Sequence, residues 1–124
     1  MPIIVLIGVG GFIGAISRYL VDGWVTDLTA ASFPFGTLVV NLTGACVLGL
    51  LFAITNERAI LAPEVRGPLM IGLIGAYTTF STLMLESWRL VEDGSAGMAF
   101  VNIAVSSLLG LAAVWVGLSV GRAI

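Results

Sequence analysis

Four hydroxyl side chains and one aromatic ring lie together in GLIGAYTTFSTLMLE, the segment from Gly72 to Glu86. The hydroxyls surround Phe80 and belong to Thr78, Thr79, Ser81 and Thr82. Where a transmembrane helix is interrupted, free carbonyls can face cations, while hydroxyl donors and half-helix N-termini can face anions. The residue types in this segment therefore indicate an ion site, and the rest of the chain must be able to place such a site inside a membrane.

The composition places the chain among the membrane proteins. Of its 124 residues, 59% are hydrophobic and 10% are charged, whereas about a quarter of the residues in a soluble domain are charged. The absence of histidine and the single cysteine, Cys46, exclude His- or Cys-based metal sites and disulfide frameworks. The net charge of -2 gives no reason to expect nucleic-acid binding. No nucleophile–base pair is present either, so the sequence does not indicate an enzyme.

The charged residues divide the chain into four apolar intervals, each close to the ~20 residues that cross a bilayer core. They predict helices near 3–21, 36–55, 68–90 and 97–121, forming a single four-helix transmembrane domain over residues 1–124. No basic residue precedes the first apolar run, which is therefore interpreted as a first span and not as a cleaved signal peptide. We expect an all-α, multi-pass protein of the cell (inner) membrane, in contact with membrane lipid.

The third span is predicted to be broken. Gly72 and Gly75 precede the hydroxyl cluster, and Gly, Thr and Ser all form helix less readily than Leu or Ala. We expect the helix to stop near Gly75, residues 76–79 to be non-helical, and a second half-helix to begin around Phe80. Such a break is tolerated in a membrane only where protein or a water-filled cavity satisfies the freed backbone groups.

Few other polar residues lie within the predicted spans. Asn41 is in the second span, where an amide can serve as an interhelical hydrogen-bonding group or as a functional donor. Asn102 and Ser106 are four residues apart and share one face of the fourth helix. Arg18 and Glu86 are the ionisable residues nearest to span interiors, and we expect them to pair between the first and third helices.

The five arginines are almost evenly distributed between the two sides of the predicted bundle. Three fall on the side of the termini and two on the other side, which is almost no bias under the positive-inside rule. The balance is either a weak signal from few charges or the mark of a chain that inserts in both orientations and pairs with an inverted copy. Two GxxxG motifs, at 10–14 and 117–121, suit close helix packing within one bundle or between copies.

Three segments resemble the signature segments of the Fluc fluoride channel family: GGFIGAISRY at 10–19, GTLVVNLTGACVLG at 36–49 and GAYTTFSTLMLE at 75–86. The resemblance covers nearly the whole chain, including span count and loop lengths. It implies a passive fluoride-selective channel that lowers cytoplasmic fluoride, built as an antiparallel, dual-topology dimer with two pores. One alternative is a proton-coupled exporter like the small multidrug-resistance proteins, which need a carboxylate that the predicted first helix lacks. A second alternative is a membrane scaffold subunit without transport.

The resemblance also implies roles for individual residues. Asn41 is expected to donate its amide N–H to fluoride, and Phe80 to present the positive edge of its ring. Asn102 and Ser106 fall on the polar track of the family's fourth helix. The complete set of implied pore residues is Asn41, Phe80, Ser81, Thr82, Asn102 and Ser106. The backbone carbonyls of Gly75 and Thr78 are expected to hold a structural sodium ion at the dimer interface.

The chain departs from the family pattern at several positions. Leu83 stands where the family usually has a second phenylalanine, and Asn102 where the polar track usually has a tyrosine. Gly110 and Val114 occupy track positions that carry hydroxyls in some members. These differences leave two assemblies open, a homodimer with a simpler pore or one half of a heterodimer whose partner supplies the missing groups.

Overall fold

The structure is a computed structural model that describes all 124 residues, and its only regular secondary structure is helical. Helix α1 spans Ile3–Thr29, and α2 spans Phe35–Phe52 and continues as a π-helical turn, Ala53–Glu57. The third span contains a 3-10 turn (Pro63–Val65), a π-helical segment (Gly67–Ile74), α3 (Gly75–Tyr77) and α4 (Phe80–Glu92), and α5 spans Ala96–Ala123. Four stretches, 3–29, 35–57, 63–92 and 96–123, are long and apolar enough to cross a membrane, as the sequence predicted.

Helix α1 is longer than predicted, because it ends at Thr29 and not near residue 21. No glycine or proline lies between Trp24 and Phe33, and the polar side chains there bond to their own helix. The Thr29 hydroxyl donates to the Val25 carbonyl at 2.9 Å. The helix ends only where Ala30 adopts a left-handed conformation, with φ of 46°. The longer helix includes Asp22 and Asp27, so a missing carboxylate in the first helix does not argue against an exporter.

The third span is broken, and the break is shorter than predicted. Thr78 and Thr79 have extended backbones, with ψ of 158° and 117° respectively. Ala76 and Tyr77 are helical, contrary to the expectation for residues 76–79. Ala76 and Tyr77 stay helical because the helical hydrogen bonds of the first half of the span continue as far as the Thr78 N–H, which donates to the Ile74 carbonyl at 3.0 Å. We call Thr78–Thr79 the break.

Glycines bring the helix backbones of the bundle into direct contact. A Cβ on Gly10 or Gly14 of α1 would overlap the carbonyl of Pro68 or Leu73 in the third span. On the other side of the bundle, a Cβ on Gly117 of α5 would overlap the Cys46 carbonyl of α2. Small residues allow this approach where lipid provides no hydrophobic drive for helix association. Both GxxxG motifs therefore pack inside a single chain.

The outer surface of the bundle is apolar. Only 18 of the 124 residues are buried, while large side chains such as Phe12, Phe100 and Leu111 are about 70% exposed. In water this surface would drive association, whereas in a bilayer lipid tails or a second copy can cover it. The fold accordingly has little interior, and most of its buried side chains are small or polar.

At the end of the bundle that carries both termini, arginine side chains form hydrogen bonds between neighbouring elements. Arg122 makes two hydrogen bonds to the Glu57 carboxylate, at 2.7 and 2.8 Å. Arg58 donates to the Arg122 carbonyl, and Arg66 donates to the Thr55 carbonyl at 3.2 Å. Arg58 and Arg66 thus satisfy carbonyls near helix C-termini, where positive charge is favoured.

Candidate functional site

Asn41 joins α2 to the break in the third span. Its Oδ1 accepts a hydrogen bond from the Thr79 N–H at 2.8 Å, and its Nδ2 donates to the Thr79 carbonyl at 3.0 Å. Thr79 also caps α4, because its Oγ1 accepts a hydrogen bond from the Thr82 N–H at 3.2 Å. The Asn41 side chain therefore satisfies both backbone groups of Thr79, and the Thr79 side chain satisfies the Thr82 N–H, as the bilayer interior requires.

The break deprives the four carbonyls from Gly75 to Thr78 of their helical donors, and for two of them a side chain has taken the donor. In an uninterrupted helix, the Thr79 N–H would bond the Gly75 carbonyl and the Thr82 N–H would bond the Thr78 carbonyl. Here Asn41 takes the first N–H and the Thr79 hydroxyl takes the second. The Thr78 carbonyl accepts no other hydrogen bond within the chain. Gly75 and Thr78 are the residues whose carbonyls the family resemblance assigns to sodium, and that assignment stays a prediction.

Phe80 and Asn41 line a common groove on the surface of the protomer. The groove encloses about 270 Å³, and its walls include Gly44, Thr78 and Leu83. The Phe80 side chain is 74% exposed, and one N–H of the Asn41 amide has no partner within the chain. No charged residue lines the groove. It therefore offers an anion a free amide donor and an aromatic ring without a fixed charge.

The two predicted hydroxyl donors, Ser81 and Thr82, do not line this groove. Ser81 is exposed, and its Oγ lies 3.4 Å from the Thr79 Oγ1. Thr82 accepts a hydrogen bond from the Thr79 hydroxyl at 3.0 Å and lines a narrow crevice between α1, α2 and α4. Arg18 lines the same crevice, and its buried Nε has no hydrogen-bond partner within the chain.

Asn102 and Ser106 lie together on a buried face of α5, but they do not line the groove either. Asn102 donates from its Nδ2 to the Ser87 hydroxyl of α4 at 2.9 Å, and Ser87 donates to the Leu83 carbonyl at 2.7 Å. The Oδ1 of Asn102 and the Oγ of Ser106 are buried without a hydrogen-bond partner. Leaving a buried polar group unsatisfied costs about 1–3 kcal/mol, so we expect a further polar group to bond them in the membrane.

Glu86 does not pair with Arg18, so the predicted ion pair is wrong. The Glu86 carboxylate is half-buried and accepts a hydrogen bond from the Thr37 hydroxyl of α2. Arg18 instead faces the crevice, where Asp22 also lies. The chain contains one ion pair, between Arg122 and Glu57, at the opposite end of the bundle.

Two polar residues of this region, Thr37 and Ser87, are not among the site residues predicted from the sequence. Thr37 precedes Asn41 by four residues, so both lie on one face of α2 and both bond to the third span. That spacing could have identified Thr37. Ser87, the partner of Asn102, follows Glu86 directly, but nothing in the sequence distinguishes it from other helical serines.

Glu86 lines a second, outer pocket, which is separate from the crevice and lies near the loop between α1 and α2. It encloses about 250 Å³ and is lined by Ser32, Pro34, Glu86, Arg89, Leu90 and Asp93. Thr37, which holds Glu86, lines the crevice. The hydrogen bond between Thr37 and Glu86 therefore lies between the outer pocket and the crevice.

Comparison with known proteins covers nearly the whole chain. Residues 5–118 match the family described as CrcB-like protein, Camphor Resistance (CrcB). The chain is 39% identical over 122 residues to the fluoride-specific ion channel FluC of Geotalea daltonii, covering 98% of each protein. It is 41% identical over 124 residues to FluC of Geobacter sp. (strain M21), covering 100% of each. Its identity to FluC 1 of Symbiobacterium thermophilum is 46% over 118 residues, covering 94% of this chain and 95% of the relative.

Proposed function

The chain belongs to the CrcB-like protein family, and from that premise we propose that it is a passive, fluoride-selective ion channel that lowers cytoplasmic fluoride. Its relatives over the full chain are named fluoride-specific ion channels, and a channel needs no catalytic group. The proton-coupled exporter is not favoured, because these relatives carry no such name.

The observation that carries this proposal is the neutral groove. Fluoride is small and strongly hydrated, so a pore must replace its water with close donors and still release the ion. The free N–H of Asn41 and the positive ring edge of Phe80 provide such donors. A fixed cation in the groove would hold fluoride too tightly for rapid release, and none is present.

The groove becomes a pore when a second, inverted copy of the chain covers it. Phe80 projects from the protomer, and the groove is open on that side. The near balance of arginines allows both orientations to occur in one membrane. An antiparallel homodimer would carry two equivalent grooves and therefore two pores. A heterodimer with a related subunit remains the alternative assembly, because Leu83 and Asn102 replace aromatic residues that are usual in the family.

A structural sodium ion at the centre of this dimer completes the proposal. The Gly75 and Thr78 carbonyls have lost their helical donors, so they can serve as ligands. Two copies would supply four such oxygens without a carboxylate, which suits a hard, singly charged cation better than a transition metal. The ion would offset the carbonyl dipoles at the break and would be retained, not transported.

Purified protein in liposomes tests the transport activity. Vesicles loaded with potassium fluoride, with valinomycin to balance charge, are expected to release fluoride to an external electrode without a pH difference. Vesicles loaded with chloride serve as the selectivity control. Efflux that requires a pH difference would indicate the exporter, and absence of flux with folded protein would indicate the scaffold.

A further inference from the structure

Two of the carbonyls at the break, those of Gly75 and Thr78, have lost their helical donors to particular side chains. Asn41 Oδ1 holds the Thr79 N–H at 2.8 Å, and Thr79 Oγ1 holds the Thr82 N–H at 3.2 Å. Each N–H would return to a carbonyl of its own helix if its side-chain acceptor were removed and the backbone closed. The side-chain acceptors therefore compete directly with the carbonyls of Gly75 and Thr78.

We infer that Asn41 and Thr79 are positioning residues for the cation site. Asn41 keeps the Gly75 carbonyl available, and Thr79 keeps the Thr78 carbonyl available, although neither side chain itself binds the cation. The inference rests on the proposed function, because it assumes that these carbonyls face a cation in the dimer. Asn41 then connects two sites, since its Oδ1 maintains the break while the residue also lines the groove.

The other side chains around the break do not accept hydrogen bonds from the Thr79 or Thr82 N–H. The Thr78 hydroxyl donates to the Ile74 carbonyl at 3.0 Å, so it extends the first half of the span and does not cap the second. Its methyl group packs on Gly44, where a Cβ would overlap it. The Tyr77 hydroxyl lies 2.9 Å from the Thr43 hydroxyl of α2. These contacts fix the first half of the span against α2, and Asn41 and Thr79 fix the second half.

The competition gives the inference a readout that is independent of fluoride flux. Binding of a cation to the folded dimer stabilises it by RT ln(1 + [Na⁺]/Kd), so the melting temperature rises once sodium exceeds its Kd. The melting temperature is therefore measured over a range of sodium concentrations, with N-methylglucamine keeping the ionic strength constant. We expect sodium to stabilise the wild-type protein, and the sodium midpoint is the fitted Kd, the concentration at which half of the sites are occupied.

Substitutions of Thr79 separate its hydroxyl from its bulk. Thr79→Val removes the acceptor and keeps the shape, so the sodium midpoint should rise at least about tenfold. Thr79→Ser restores the hydroxyl and should bring the midpoint back to within about twofold of wild type. Ser119→Ala is the matched control, because Ser119 donates only to the Trp115 carbonyl of its own helix at 2.8 Å. Its midpoint should equal that of wild type.

Asn41→Leu is a second variant that removes both hydrogen bonds to Thr79 and keeps a similar volume. It should also raise the sodium midpoint, which keeps the test decisive if Thr79→Val yields no folded protein. If wild type responds to sodium and these variants share its midpoint, the positioning inference is overturned. If wild type itself shows no sodium response, the cation site is overturned. Liposome flux of fluoride decides the channel proposal separately in either case.

Discussion

Thr37 donates its hydroxyl hydrogen to Glu86 across the contact between α2 and α4. Thr37 is 3% exposed, so its hydroxyl has no ready access to water. The bond holds a carboxylate that lies between the outer pocket and the narrow crevice beside Arg18. A half-buried carboxylate depends on such a partner, because an unpaired charge in this environment is costly.

Thr37→Val is therefore expected to destabilise the protein, by about 1.5–3 kcal/mol for a hydrogen bond to a charged group. Thr37→Ser keeps the hydroxyl and should recover most of this loss. Unfolding in detergent by heat or denaturant, followed by circular dichroism, measures the difference. Equal stability of the two variants would show that Glu86 finds another donor.

Asn41→Asp is expected to slow fluoride flux sharply. It places a negative charge where the proposed anion sits, at a cost on the order of several kcal/mol in a poorly solvated groove. Asn56→Asp is the matched control, because Asn56 is exposed and lies at the end of the π-helical turn after α2. The rate of fluoride loss from liposomes should fall only for Asn41→Asp, and equal rates for both variants would place the pore elsewhere.

Phe80→Ile is expected to reduce fluoride flux without unfolding the protein. The substitution removes the ring edge and keeps an apolar side chain at a position where 74% of the residue is exposed. Phe100→Ile provides a control of nearly equal exposure, 73%, on α5. The Phe80 effect should appear in liposome flux and not in the melting temperature. A comparable loss of flux from Phe100→Ile would indicate a general effect of lost aromatic surface.

Arg89→Gln is expected to lower fluoride flux at low ionic strength. Arg89 lines the outer pocket with Glu86 and Asp93, so its loss leaves two carboxylates there without a cation, and they would repel an anion that approaches the protein at this end. The effect should shrink as salt is raised, because the Debye length falls to about 3 Å at 1 M. Asp93→Asn should act in the opposite direction. A loss of flux that is independent of salt would contradict electrostatic steering by Arg89.

Both orientations of the chain are expected in the membrane. Cys46 is replaced by serine, and single cysteines are introduced at the exposed positions Ala31 and Ala62, which lie in loops at opposite ends of the bundle. A membrane-impermeant maleimide applied to intact cells should label a fraction of each variant, and lysis should expose the remainder. Labelling of one position only would exclude dual topology for the chain expressed alone.

The broad fold could be predicted from the sequence, because span length and hydropathy determine which segments can cross a bilayer. The break was also predictable, since poor helix formers cluster before Phe80. The end of α1 was not, because it depends on polar side chains such as Thr29 bonding to their own helix. The length of the break was not predictable either, because it depends on the hydrogen bonds from the Thr78 N–H and hydroxyl to the Ile74 carbonyl.

The residues proposed for the site were chosen from the sequence, but the sequence did not show which of them lie together. The structure brings Asn41 and Phe80 to one groove, but it places Thr82 in the crevice and Asn102 on a buried face. The expected pairing of Arg18 with Glu86 failed because sequence distance and charge do not specify which face of a helix a neighbour covers. Thr37, an uncharged residue, is the partner of Glu86 instead.

The glycine contacts of α1 have a consequence for synthesis at the ribosome. Gly10 and Gly14 meet the carbonyls of Pro68 and Leu73, so α1 finds its main packing surface only after the third span has been made. Gly49 of α2 likewise meets the Val114 carbonyl of α5, the last helix to emerge. We therefore expect the first two helices to be inserted in the membrane but only loosely packed until the later helices are made. The bundle would then pack only near the end of synthesis. A truncated chain ending before residue 68 would lack the packing partner of α1, and we expect the cell to degrade it.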